Sequence, residues 1–197
     1  MRPSKSYFYK ILYQDISNEL KKNKNLNFID FACGHAQILK DFKFQNYTGI
    51  DIDEKEISSL KLKYPQQKFY SDDILFFKSS IKSDLACCVE TFGFNTKFNT
   101  NKLLDSLKNI SNCLNENGSL FFNIQNKLFE ENIENLNFFF KNFEKVKIRR
   151  YGFFSDRYSK FNHKILFLLE KIISKNINRG KYLYIKCENY SQNLPIK

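Results

Sequence analysis

The run Asn27-Phe28-Ile29-Asp30-Phe31-Ala32-Cys33-Gly34-His35-Ala36-Gln37-Ile38-Leu39-Lys40-Asp41-Phe42-Lys43-Phe44-Gln45-Asn46-Tyr47-Thr48-Gly49-Ile50-Asp51-Ile52-Asp53 decides the fold. An apolar stretch over residues 26–31 climbs to a turn of small residues, Ala32 to Ala36. Ile38, Leu39 and Phe42 then give a short helical pattern, and a second apolar stretch, 47–50, ends at Asp51. Strand, tight turn, helix, strand and acid make a βαβ unit, whose two strands lie parallel.

Small residues suit such a turn because they let backbone N–H groups approach a ligand: Gly34 has no Cβ, and Ala32 and Ala36 have little more. An acid at the tip of the next strand is where a carboxylate can take both hydroxyls of a ribose. The unit therefore reads as a nucleoside site. A dinucleotide fingerprint wants three glycines around the pyrophosphate, and only Gly34 is present. No Gly-Lys-Ser/Thr phosphate loop occurs in the chain. The implied ligand is a nucleoside whose tail carries no phosphates.

Asp30-Phe31-Ala32-Cys33-Gly34-His35-Ala36 resembles the first motif of the class I S-adenosylmethionine-dependent methyltransferases, and Gly49-Ile50-Asp51-Ile52-Asp53 resembles their second strand with its ribose-binding acid. Phe69-Tyr70-Ser71-Asp72-Asp73-Ile74 is similar to the family's acidic motif after the third strand. Ser83-Asp84-Leu85-Ala86-Cys87-Cys88-Val89-Glu90 is similar to its fourth strand, and Leu114-Asn115-Glu116-Asn117-Gly118-Ser119-Leu120 to the turn into its fifth. The five stretches stand in order across residues 26–125; the departure is Ala36, where the last glycine often stands.

The resemblance implies an α/β, Rossmann-like, doubly wound sheet of seven strands in the order 3-2-1-4-5-7-6, the seventh antiparallel, with helices on both faces. It implies S-adenosyl-L-methionine as co-substrate and no metal. Donor contacts are expected from Asp30, Phe31, Ala32, Cys33, Gly34 and Ala36 in the first turn, and from Asp51 and Ile52 at the ribose. Asp72, Asp73 and Ile74 belong beside the adenine, Asp73 being preferred over Asp72 for the exocyclic amine, and Glu90 borders the methyl. Methyl transfer from a sulfonium is an in-line displacement that needs alignment and dryness. A hydroxyl acceptor also needs a base, and Glu90 and His35 are the catalytic candidates, although His35 can instead simply shape the turn.

The family's branches that methylate planar nitrogens place Asn/Asp-Pro-Pro-aromatic where Glu90-Thr91-Phe92-Gly93 stands here. The leading expectation is therefore a methyltransferase acting on a hydroxyl of a small molecule or glycan. The alternatives are an RNA or protein methyltransferase that uses a basic surface, and a non-catalytic binding protein that keeps the fold. A net charge of +11 invites the nucleic-acid reading, but the lysines are scattered, and charge informs about partners only where it clusters.

The 197 residues suit a single domain, 1–197, with an N-terminal helix in 1–24 and a substrate-side insertion in 152–180. Five cysteines, with no C-x-x-C pair and with His35 and His163 far apart, read as reduced, buried side chains rather than a zinc site. Residues 1–20 lack the apolar core of a signal peptide, and no run is long enough to span a membrane, so a cytoplasmic monomer or homodimer is expected.

Helical spacing over residues 4–22 makes Phe8, Ile11, Leu12, Ile16 and Leu20 a buried stripe flanked by Tyr9 and Tyr13. Both tyrosines are read first as packing or exposed; the resemblance, in which an N-terminal helix often closes over the cofactor, leaves either one facing the ligand as the alternative. Further helices are expected over 54–64, 100–114 and 127–142, and strands over 66–70, 85–89, 119–124, 145–151 and 182–187. The insertion carries Phe161, Ile165, Leu166, Leu168, Leu169, Ile172 and Ile173 with interspersed lysines. Such a helix packs on its own sheet or a second subunit, or, as the alternative, 160–175 meets an anionic membrane or a lipid-linked substrate. Tyr151, Phe153, Phe154, Asp156, Arg157 and Tyr158 are the acceptor-side candidates.

Overall fold

A computed structural model describes residues 3–80, 82–94, 100–152, 169, 172–173 and 180–191. The strands are β1 (Asn27–Phe31), β2 (Asn46–Asp51), β3 (Lys68–Ser71), β4 (Ser83–Phe92), β5 (Leu114–Gln125), β6 (Phe143–Tyr151) and β7 (Tyr182–Tyr190). They form one sheet in the order β3-β2-β1-β4-β5-β7-β6. β7 runs antiparallel to both neighbours, as the family resemblance implied. The apolar runs of β4 and β5 explain their central place: Ala86, Cys87, Cys88, Leu120, Phe121 and Phe122 are wholly buried, as residues covered on both faces must be.

One face carries α3 (Thr100–Asn112), α4 (Asn126–Glu130) and α5 (Ile133–Phe140), and the other α1 (Pro3–Lys22) and α2 (Glu54–Lys63). α2 starts where Asp53 accepts the N–H groups of Lys55 and Glu56, at 3.0 and 3.1 Å, satisfying two donors that the first turn leaves open. α1 lays Phe8, Leu12 and Ile16 on the sheet, and its polar edge reaches β7 through Asp15 and Glu19.

Several boundaries differ from the sequence expectation. The helical pattern after the first turn becomes a single 3-10 turn, Gln37–Lys40, because Phe42 and Phe44 leave the helical row for ring contacts with Tyr13 (5.3 Å) and Phe28 (4.5 Å). The helix expected over 127–142 is two, broken at Asn132, whose Nδ2 donates back to the carbonyl of Leu128 at 2.8 Å. β5 begins at Leu114, before Asn117-Gly118, because Asn117 takes a left-handed φ of 64° and the ladder shifts register there instead of ending. The acceptor-side candidates Phe153, Phe154, Asp156, Arg157 and Tyr158 lie outside the described residues, as does most of the 152–180 insertion. Of its apolar row Leu169, Ile172 and Ile173 are described: Leu169 and Ile172 are exposed and Ile173 is half-buried.

Candidate active site

The carboxyl ends of β1, β2 and β4, with the loop after β3, surround a cavity of about 630 Å³, a size that suits a nucleoside with a short tail. The turn after β1 makes its floor. Ala32, Gly34 and Ala36 have φ of 55°, 47° and 47°, a left-handed alternation that L-residues adopt only under constraint. The constraint is visible: the Cys33 N–H donates to the Ile50 carbonyl at 2.9 Å, and the Gly34 N–H to Asp51 Oδ2 at 2.8 Å. A Cβ on Gly34 would meet nothing within 4 Å, so the backbone is bare toward the cavity. Below the turn the opposite holds at Gly49, where a Cβ would come within 2.8 Å of the Phe69 ring.

Asp51 closes β2 with Oδ1 accepting from the Asp53 N–H at 3.0 Å and Oδ2 from Gly34. Each oxygen keeps acceptor capacity for a ligand hydroxyl. Asp30, buried on β1, accepts the Tyr47 hydroxyl at 2.8 Å through Oδ2, while its Oδ1 has no hydrogen-bond partner. Burial pushes its carboxyl up to about 7 against the lowering effect of the Tyr47 bond, and the charge of Asp51 adds to the rise. Asp72, Asp73, Ile74 and Leu75 form another wall. Asp73 Oδ1 accepts the Leu75 N–H at 2.9 Å, and α3 steadies the loop through Asn109 Nδ2, which donates to the carbonyls of Ile74 and Phe77. Ile52, 73% exposed, offers an apolar side chain at the rim.

At the far end stand Val89, Glu90, Thr91, Lys102 and, from α1, Tyr9. Glu90 takes a φ of 58°, and its N–H donates to Asn123 Oδ1 at 2.6 Å. Asn123 is wholly buried in β5 and donates through Nδ2 to the Tyr151 hydroxyl at 2.6 Å; the Tyr151 ring stacks on Phe8. Burial raises the Tyr9 phenol well above its usual range, and the charge of Glu90 adds to it.

Of the expected site residues, Asp30, Ala32, Cys33, Gly34, His35, Asp51, Ile52, Asp72, Asp73, Ile74 and Glu90 line this one cavity. Phe31 and Ala36 are wholly buried away from it, Phe31 packing at 6.0 Å on Phe77. His35 sits at the outer edge, 82% exposed, with Nδ1 at 2.7 Å from Glu56 Oε1. Of the two readings open for Tyr9, the less favoured one holds, since it lines the cavity; Asn123 was missed altogether. The available signal was a lone amide inside the apolar run Leu120-Phe121-Phe122-Asn123-Ile124. Among the described residues no group of three or more His, Cys, Asp or Glu side chains could hold a metal ion.

No protein-family model matches the chain, and no curated protein matches it. Solved structures do. The N-methyltransferase NodS from Bradyrhizobium japonicum, in complex with S-adenosyl-L-homocysteine, is similar over 93% of this chain and 87% of its own, with a TM-score of 0.64 at 12% identity. The plantazolicin methyltransferase BpumL is similar over 89% of this chain and 81% of its own, with a TM-score of 0.60 at 16% identity. The sugar N-methyltransferase KedS8 from Streptoalloteichus is matched over 52% of this chain, which spans 42% of that protein, with a TM-score of 0.46 at 18% identity. The fold is thus the Rossmann-like fold of class I S-adenosylmethionine-dependent methyltransferases, with the strand order 3-2-1-4-5-7-6.

Proposed function

We propose that this protein is an S-adenosylmethionine-dependent methyltransferase acting on a small-molecule or glycan acceptor in the cytoplasm. The observation that carries the reading is Asp51: it holds the Gly34 N–H from one side and lines a nucleoside-sized cavity with the other. The unpartnered Oδ1 of Asp30 on the same cavity fits the ammonium of a methionine tail, since a buried carboxylate oxygen without a donor is costly unless a ligand supplies one. Ile52 suits one face of a purine, and Asp73, with the backbone at Ile74, its polar edge. Five buried, unpaired cysteines suit a reducing compartment.

The donor, when bound, supplies a methyl carbon activated by the sulfonium. The chain then has to hold the donor by its ribose, base and ammonium, exclude water with Tyr9 and Val89, and present the acceptor at Glu90. The acceptor's lone pair attacks the methyl carbon in line as the C–S bond breaks toward sulfur. A nucleic-acid acceptor fits less well. Asp30, Asp51, Asp72, Asp73 and Glu90 line the cavity against Lys102 and His35, a field that repels phosphates. The descriptions of NodS and BpumL name an N-methyltransferase and a plantazolicin methyltransferase, which supports an acceptor outside the nucleic acids.

Calorimetry with S-adenosylmethionine and S-adenosylhomocysteine tests the reading. Binding that weakens in Asp51→Ala supports it, whereas no heat at millimolar donor sinks it and leaves a non-catalytic scaffold. Added RNA should bind only weakly, and a steep loss of RNA binding with salt would instead reveal phosphate contacts.

A further inference from the structure

We infer that the acceptor is an aliphatic amine, protonated in solution, whose nitrogen is received by Glu90 beside the ring of Tyr9. This rests on the methyltransferase reading and replaces the hydroxyl expected from the sequence. The carboxylates of the cavity divide unequally. Asp51, Asp72 and Asp73 border the nucleoside part, and Asp30 has an open oxygen for the tail's ammonium, which leaves Glu90 at the opposite end with the donor already provided for. A carboxylate there suits a cationic nitrogen better than an alcohol. A carboxylate is a poor base toward an alcohol, whose proton is held far more tightly. For an amine the carboxylate acts at a better moment: as positive charge moves from sulfur to nitrogen in the transition state, the carboxylate on the nitrogen side gains interaction energy as the reaction proceeds.

The surroundings agree. Tyr9 lines the same end, and burial together with the Glu90 charge keeps its phenol neutral, so its ring can face a cation. The backbone of Glu90 sits in a left-handed conformation that a glutamate rarely adopts, and the buried Asn123 amide, itself tied to Tyr151, is what holds it there. Asn123 is thus a positioning residue: it acts on the acceptor only through Glu90. The bonds balance simply. The ammonium passes one proton to the Glu90 carboxylate and on to water. The freed lone pair forms the N–CH3 bond while the C–S pair returns to sulfur, giving a neutral thioether and a methylated ammonium.

Sinefungin, a donor analogue with an amine where the donor carries its sulfonium methyl, is the probe. Its affinity is measured by calorimetry at pH 7 beside that of S-adenosylhomocysteine, which has no charge at that point. Wild-type protein should prefer sinefungin by about tenfold or more, as a charge-assisted hydrogen bond in a closed site gives. Glu90→Gln should bring the ratio within about twofold, and Asn123→Ala should lower it too, because the carboxylate is then no longer aimed. A wild-type ratio near one, or a preference that survives Glu90→Gln, overturns the inference. Loss of S-adenosylhomocysteine binding in the wild type would instead strike the methyltransferase reading. In a small-molecule extract of the producing cells supplied with labelled donor, acetylating the amines beforehand should abolish the labelled product. A labelled product that survives acetylation overturns the amine.

Discussion

Asp30 and Lys186 are both buried, at 2% and 5% exposure, on the two halves of one sheet, and the fold treats them oppositely. Lys186 on β7 meets Glu188 at 3.1 Å, Glu19 at 3.2 Å and Asp15 at 3.6 Å, with its ammonium 4.9 Å from the Phe121 ring centroid. Burial pulls its pKa down, but the charges of Asp15, Glu188 and Glu19 outweigh that and hold it above its usual value. Asp30 on β1, a lining residue of the cavity, has one hydrogen-bond partner, Tyr47, and a buried second oxygen with none. A buried charge neutralised by its own chain fastens α1 to β7. A buried acid left partly unsatisfied fits the proposed ligand, whose ammonium would supply the missing donor.

The largest effect that could break this contrast is at Lys186. Lys186→Met removes the cation that three carboxylates share; Asp15 keeps the Tyr184 hydroxyl, Glu19 keeps Lys22 and Glu188 keeps Lys147, and side chains at 14% to 15% exposure also reach water, so the loss is compensated in part. The expected loss is at the low end for a broken buried pair, about 3 kcal/mol in urea unfolding. A variant as stable as the wild type would show that the cluster fastens nothing.

Asp30→Asn should do the reverse. The folded carboxyl titrates near 7 and the unfolded one near 4, so the native state binds the extra proton between those values. Stability from this group is therefore complete below about pH 4, falls as pH rises toward 7, and stays low above. In thermal melts without ligand Asp30→Asn should flatten that fall and gain on the order of 2 kcal/mol at pH 8, while binding the donor more weakly. An unchanged pH slope would mean that Asp30 is not the strained group.

Asp51→Ala should weaken S-adenosylhomocysteine binding by at least about tenfold through lost charge-assisted hydrogen bonds. An affinity within twofold of the wild type, in a folded variant, would remove the ribose from β2. Gly34→Ala carries the smallest stability effect, about 1 kcal/mol of left-handed strain with no clash, since nothing lies within 4 Å of the added Cβ. A larger loss in urea unfolding would mean that the turn is packed and not bare.

The half of the cavity proposed for the donor was largely legible because its residues lie in short stretches. A strand, a small-residue turn and a terminal acid are close in sequence, and the turn's backbone needs produce the Ala32, Gly34 and Ala36 pattern directly. The end proposed for the methyl was less so. Glu90 could be placed by its position at a strand end, but its left-handed backbone depends on an amide 33 residues away on β5. Tyr9 reaches the cavity from α1, a helix whose seat is fixed by Tyr184 and Lys186, 169 and 167 residues from their partners Asp15 and Glu19. No local pattern carries such pairings, so a tyrosine at helical spacing looks the same whether it meets core or ligand. The single 3-10 turn after β1 was hidden for a similar reason: Phe42 and Phe44 could continue a helix, and only the rings waiting on α1 and β1 divert them.

The order of residues alone determined the βαβ unit, most strands and helices and the acids at strand ends, because alternation, turn chemistry and strand ends act over a few neighbours; the order of the strands in the sheet came with the family resemblance. Only the assembled tertiary structure decided which acid stays unsatisfied, which tyrosine enters the cavity and how Glu90 is aimed. Those outcomes depend on which distant groups arrive within hydrogen-bonding distance, and that is settled by packing rather than by spacing.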